Sequence, residues 1–156
     1  SISFDPIELK AKGIIDNSLA MVASQAELKN VQYETKVDQS TSVYADNNMI
    51  RLILRNLLSN AIKFSHNGGK IIISAKNSES GVLFCIEDFG IGICKEDQAN
   101  LFNNITLNST PGTQNEKGTG IGLILCKEFV EKHHGKIWME SQEGSGSKFC
   151  FSFPGS

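Results

Sequence analysis

The sequence predicts a layered α+β domain, a mixed sheet with its helices on one face. Three observations carry that expectation. Apolar residues recur at a helical period in three separated segments. Strand-like stretches bounded by turn residues lie between and after them. The chain has 156 residues, so residues 1–156 are expected to form one domain, which would bury about 70% of its unfolded-chain surface.

Asp5-Pro6-Ile7-Glu8 reads as a helix start, with Asp5 at the cap, Pro6 in the first turn and Glu8 at capping-box spacing. Ile7, Ala11, Ile14, Ile15, Leu19, Val22 and Ala26 then continue a helical period. Residues 31–37 and 42–45 read as short strands. Asp46 is placed to cap a second helix that runs to about Phe64. After the turn signal Asn67-Gly68-Gly69, residues 70–76 and 82–87 form a hairpin pair, with Gly81 near its turn. Residues 90–118 are rich in Gly, Asn, Thr and Pro, with a short helical piece near 96–102. A loop of that length in a compact domain is usually functional. A third helix is expected over 120–133, and two last strands over 136–141 and 147–153.

Composition removes several classes of function. The net charge of −2 gives no electrostatic case for nucleic acid or for an anionic membrane surface. No apolar run approaches the ~18 residues of a membrane span, and no signal peptide is visible. The chain begins within an apolar/polar pattern, Ser1-Ile2-Ser3-Phe4, and reads as a piece of a longer protein. Cys85, Cys94, Cys126 and Cys150 form no CxxC pair and sit among apolar neighbours. They are expected to be buried thiols in a reducing compartment.

Three segments are candidates for chemistry. On the second helix, taking Asn56 as the origin, Asn60 falls at about 40° and Lys63 at about −20°. The three make a polar strip beside Met49, Leu52 and Ile53. Two amides and an ammonium within apolar surface need partners. An asparagine carbonyl suits a hard cation such as Mg²⁺, and a lysine suits phosphate. Asparagines bonded to the local backbone are an equal alternative. The second segment, Asp88-Phe89-Gly90-Ile91-Gly92-Ile93, follows a strand. Its carboxylate would accept a hydrogen bond from the exocyclic amine of adenine and repel the carbonyl of guanine; a plain turn is the alternative. The third, Gly118-Thr119-Gly120-Ile121-Gly122-Leu123, opens a helix and would offer N–H groups to an anion. It matches neither the dinucleotide fingerprint nor the P-loop. Gly144-Ser145-Gly146-Ser147 reads as a further turn.

The ordered set resembles the histidine kinase catalytic domain of the GHKL ATPase superfamily. The N-box is Arg55 to Ser65, the G1 box Asp88 to Ile93, the G2 box Gly118 to Leu123, and the last box Gly144 to Ser147 with Phe149. The resemblance implies the Bergerat fold: a two-layer α/β sandwich with a mixed, mostly antiparallel five-stranded sheet on three helices, plus a mobile lid over about 94–117. It implies ATP and Mg²⁺ as ligands. Asn60 would coordinate Mg²⁺, Asn56 would lie beside the phosphates, and Lys63 would contact them. Phe64 would pack by adenine and Asp88 would read it. Gly90 and Gly92 would shape the pocket, with Ile93 at its floor. Phe102 marks the short F-box. Gly118, Thr119, Gly120, Gly122 and Leu123 resemble the phosphate-side loop, and Ser147 belongs to the last box. Two departures, Ile105 where a second Phe is common and Lys117 where Gly is common, fall in the lid.

Hydrolysing members of the superfamily carry a Glu where this chain has Asn56, and an amide is no general base. Transfer of the γ-phosphoryl group to a histidine is therefore the expected reaction. His66, His133 and His134 read as structural or solvated. The acceptor is expected on a separate dimerisation domain, with a response-regulator receiver domain further on. An anti-sigma-type serine kinase and a regulatory nucleotide-binding module share the fold and stay open. The parent is expected to be a cytoplasmic or membrane-anchored homodimer, and this domain a monomer touching neither nucleic acid nor membrane.

Overall fold

The computed structural model describes residues 3–102 and 122–155. Its order is β1 (Pro6–Lys10), α1 (Ala11–Met21), α2 (Ala23–Leu28), β2 (Gln32–Val37), β3 (Ser42–Asp46), α3 (Asn47–Phe64), β4 (Lys70–Ser78), β5 (Gly81–Asp88), α4 (Lys95–Asn100), α5 (Gly122–Lys132), β6 (Lys136–Gln142) and β7 (Gly146–Phe153). Five strands form one sheet in the order β2-β4-β5-β7-β6. Only the β2–β4 pair in it is parallel. Helices α1, α3 and α5 pack on one face, as the sequence predicts.

Strand alternation builds the core. Val82, Phe84 and Ile86 of β5, with Phe149, Phe151 and Phe153 of β7, point at the helices and are buried. The rings of Phe84 and Phe151 stack 4.8 Å apart. Against them α3 packs Ile50, Ile53, Leu54, Leu57 and Leu58, all fully buried. Asp46 caps α3 as expected, its carboxylate accepting the Met49 N–H at 3.0 Å. No helix among the described residues is long and apolar enough to cross a membrane.

Two expectations are corrected. The helix predicted from Pro6 starts only at Ala11, because Pro6–Lys10 pairs antiparallel with Ser42–Asp46 as a separate two-stranded sheet. Asp5 caps nothing there; its own N–H donates to Asp46 Oδ2 at 2.8 Å. Local capping signals lose to a pairing that joins residues ~40 apart, and a first-strand position suits Pro6. The same helix also breaks at Val22, whose N–H turns back to the Leu19 carbonyl. The second correction concerns sulfur. Cys85 and Cys150 are joined as a disulfide, not free thiols. Antiparallel pairing of β5 and β7 sets them directly opposite, Cα atoms 4.2 Å apart, a neighbourhood invisible across 65 residues of sequence. Cys94 and Cys126 are free. Burial pushes the Cys126 thiol up to about 12.

Candidate nucleotide site

The site forms where the C-terminal end of α3 meets the ends of β5 and β7. The last four carbonyls of α3 lack helical i+4 donors, as at any helix C-terminus. Ser65 meets two of them, its hydroxyl donating to the Ala61 carbonyl at 2.7 Å and its N–H to the Ile62 carbonyl at 3.1 Å. The buried Nζ of Lys29 donates to the Ile62 and Lys63 carbonyls at 3.0 and 2.9 Å. The last, on Phe64, accepts the Ile91 N–H at 3.0 Å. Sequence reading missed Lys29, since nothing local distinguishes it from a surface lysine.

That docking requires Gly90. A β-carbon there would overlap the Phe64 carbonyl, so the chain following Asp88 approaches α3 as only glycine allows. Gly90 therefore shapes the site by packing and does not line the cavity. Gly92 does line it. Its φ of +71° is a left-handed conformation, and a side chain would meet the Gln142 carbonyl.

An apolar cavity of about 200 Å³ lies beside this join, lined by Asn60, Phe64, Ile91, Gly92, Ile93, Cys94, Asp97, Leu101, Leu123, Glu143 and Phe149. The fold thus brings together Asn60, Phe64, Gly92, Ile93 and Leu123 from the sequence-predicted set. Phe102 stands one ring away, edge-on to Phe149 with centroids 6.3 Å apart. Lys63 is buried beside the cavity, its Nζ 5.0 Å from the Phe64 ring centroid. Asn56 lies one turn further back. Its Nδ2 donates to the Leu52 carbonyl at 3.0 Å, so the local-backbone alternative holds for its amide nitrogen. Its Oδ1 faces the start of α5, where a β-carbon on Gly122 would come within 2.9 Å. Gly118, Thr119, Gly120, Ile105 and Lys117 lie outside the described residues.

Asp88 is not among the cavity's lining residues. It lies instead at the edge of a depression of about 340 Å³ whose lining also includes Glu87, Ser141, Gly146, Ser147 and Lys148. The carboxylate is 2% exposed and accepts the Gly90 N–H at 3.0 Å and a Ser147 backbone N–H. Burial is the larger effect and pushes it up to about 6 from 3.8; the two backbone donors pull it down and Glu87 adds to the rise. A buried carboxyl that titrates near neutrality, at a strand end beside a cavity, is a physical marker of a functional position. Ser147 faces Asp88 directly across the β5–β7 pair. Among the described residues no cluster of three His, Cys, Asp or Glu side chains is placed to hold a metal ion.

His133 is structural, as expected. Its Nε2 accepts the Asp46 N–H at 3.0 Å and its Nδ1 faces the Phe129 carbonyl at 2.8 Å, which fixes the neutral tautomer protonated at Nδ1. Burial depresses its pKa. His134, at φ +61°, takes the left-handed position closing α5.

Residues 45–156 match the family described as histidine kinase-, DNA gyrase B- and HSP90-like ATPases. The adaptive-response sensory kinase SasA of Synechococcus elongatus is 35% identical over 156 residues, covering 99% of this chain and 40% of that protein. The chain thus spans well under half the length of this curated relative. The catalytic domain of histidine kinase ThkA superposes with a TM-score of 0.82 at 28% identity, over 96% of this chain and 95% of that one. A structure of ThkA in complex with response regulator protein TrrA superposes with a TM-score of 0.77 at 25% identity, covering 98% of this chain and 42% of that one.

Proposed function

Since the chain belongs to the histidine kinase-, DNA gyrase B- and HSP90-like ATPase family, we propose that it is the ATP-binding catalytic domain of a sensor histidine kinase. It holds Mg-ATP and gives the γ-phosphoryl group to a histidine on a separate dimerisation domain. The observation that carries this reading is the pairing of two features at one end of the sheet. One is a buried carboxylate, Asp88, held by backbone donors. The other is an apolar cavity with Asn60 of α3 in its lining.

Adenine seats against Phe64, Gly92, Ile93 and Leu123, and its exocyclic amine donates to the Asp88 carboxylate. The phosphates run along the face of α3 that carries Asn60, Lys63 and Asn56, toward Gly122. Among the described residues, Asn60 would hold Mg²⁺, its neutral carbonyl oxygen suiting a hard cation. When bound, that ion offsets negative charge on the phosphates as the transfer proceeds. Lys63 adds a fixed positive charge on the same side. An imidazole nitrogen attacks the γ-phosphorus in line, the bond to the bridging oxygen breaks, ADP leaves, and the imidazole proton passes to solvent. Asn56 cannot take a proton from water, so hydrolysis has no base at this position. Ser147, opposite Asp88, supports the carboxylate. We place the domain in the cytoplasm, where ATP is available, and a response-regulator receiver domain downstream of the acceptor histidine.

The test mixes the chain with the dimerisation domain of its parent protein and γ-labelled ATP. Acid-labile, base-stable phosphate on histidine is expected. Acid-stable phosphoserine would instead assign a serine kinase, and bound nucleotide without any transfer would assign a regulatory module.

A further inference from the structure

Ile93 is held at both backbone groups by side chains outside the glycine boxes. Its N–H donates to Ser141 Oγ at 2.8 Å. Its carbonyl accepts Gln98 Nε2 at 2.6 Å, and the same amide nitrogen donates to the Ser141 carbonyl at 3.1 Å. The three residues close a ring that joins the segment after β5, helix α4 and strand β6.

The ring continues to Asp88. Ser141 has one hydroxyl proton and gives it to the Gly146 carbonyl at 2.9 Å. The contact between Ser141 Oγ and Ser147 Oγ, also 2.9 Å, must then take its proton from Ser147. Ser147 in turn gives its backbone N–H to the Asp88 carboxylate. A continuous run of hydrogen bonds therefore ties the apolar floor at Ile93 to the buried carboxylate.

The residue types follow from the partners. Both acceptors of the residue 98 amide are carbonyls, so the position needs a neutral group with two N–H donors at glutamine length. Glutamate, of equal length, would turn an acceptor toward two acceptors. Position 141 needs one hydroxyl, to accept from Ile93 and donate to Gly146 at once.

We infer that Gln98 and Ser141 are positioning residues for the nucleotide base: they touch no nucleotide, and they set the spacing between Ile93 and Asp88 on which adenine affinity and adenine selectivity depend. This rests on the nucleotide reading above. A group displaced by a fraction of an ångström costs a recognition site much of its preference.

Calorimetry with Mg-ADP and Mg-GDP tests it on the intact chain. Gln98→Leu and Ser141→Ala should each weaken ADP binding on the order of tenfold and narrow the ADP-over-GDP preference. The double variant should be no worse than the weaker single one, because opening the ring once releases it. Gln98→Glu should bind worse than Gln98→Leu, and Ser141→Thr should restore binding. In the transfer assay KM for ATP should rise while the rate at saturation stays. Variants that lower the unfolding temperature yet keep wild-type affinity and selectivity would overturn the inference and leave a purely structural ring. Asp88→Asn serves as the reference. If it too binds ADP like wild type, the nucleotide reading fails. If it alone loses binding, only the roles of Gln98 and Ser141 fail.

Discussion

The two sides of the proposed nucleotide site are built on different principles. The side proposed for the phosphates is one face of one helix: Asn56, Asn60, Lys63 and Phe64 share it because 3.6 residues make a turn. The side proposed for the base is assembled from distant segments. Asp88 ends β5, Ser147 faces it from β7, Gly92 turns back on Gln142, and Ser141 and Gln98 brace Ile93. A helix face tolerates change one residue at a time, since its geometry is local. A composite wall transmits any displacement through its hydrogen bonds and close backbone contacts. The base side should therefore be brittle in stability and the phosphate side expendable for folding, whatever each contributes to chemistry.

The largest effect is expected where the two sides meet. Gly90→Ala forces a β-carbon onto the Phe64 carbonyl, and neither backbone has room to retreat. The Phe64 carbonyl is bonded to Ile91, and the preceding turn of α3 is pinned by Lys29. A loss of about 3 kcal/mol in unfolding free energy is expected, measured by denaturant titration without ligand. Wild-type stability in this variant would mean the join is loose, and the contrast between the two sides would disappear.

Legibility followed the same division. The strip on α3 was readable because a helical wheel needs only the sequence, and the Asp46 cap and the β4–β5 hairpin were readable for the same local reason. The glycine boxes marked Gly90 and Gly92 as special but not why. The overlaps with Phe64 and Gln142 come from chain segments 26 and 50 residues away. Lys29, Gln98 and Ser141 carried no local signal at all, and each acts on a carbonyl or amide that only the fold brings near. The one strong local signal that failed, the helix start at Asp5-Pro6, was overridden by pairing with β3. The Cys85–Cys150 bond was hidden likewise, since strand order sets it and spacing does not.

A smaller effect separates the sides by pH. Burial penalises the charge of the Asp88 carboxyl and pushes it up to about 6 from its ordinary 3.8. The sign follows from linkage. This group's contribution to stability is most favourable below the unfolded value and is lost as pH rises through 6. On the role proposed for Asp88, nucleotide binding runs the opposite way, because an adenine amine would need the ionised form. Affinity for Mg-ADP should be level above pH 6 and fall below it, by at most about tenfold per pH unit for one linked proton. Asp88→Asn should bind about tenfold more weakly at pH 7 and lose this component of the profile. The phosphates titrate in both proteins, so the difference between the two calorimetric profiles isolates Asp88. Parallel profiles would remove the carboxylate from base recognition.

The smallest stability effect belongs to the phosphate side, and it sharpens the comparison most. Asn56 is half-buried, with its amide nitrogen bonded back to Leu52 one turn earlier. Back-bonding of this kind is neutral to slightly unfavourable within a helix, and the side chain's other bond, to the weakly polar Cys126 thiol of α5, adds little. Alanine is also the better helix former. Asn56→Ala should therefore leave the unfolding free energy within about 0.5 kcal/mol of wild type. Phosphotransfer should nonetheless drop, because Asn56 Oδ1 is the polar atom that α3 presents to the start of α5 at Gly122. Mg-ADP affinity and transfer rate, measured on the same preparation as the melting curve, give both answers. A variant that loses stability and function together would show that the two sides are built alike after all.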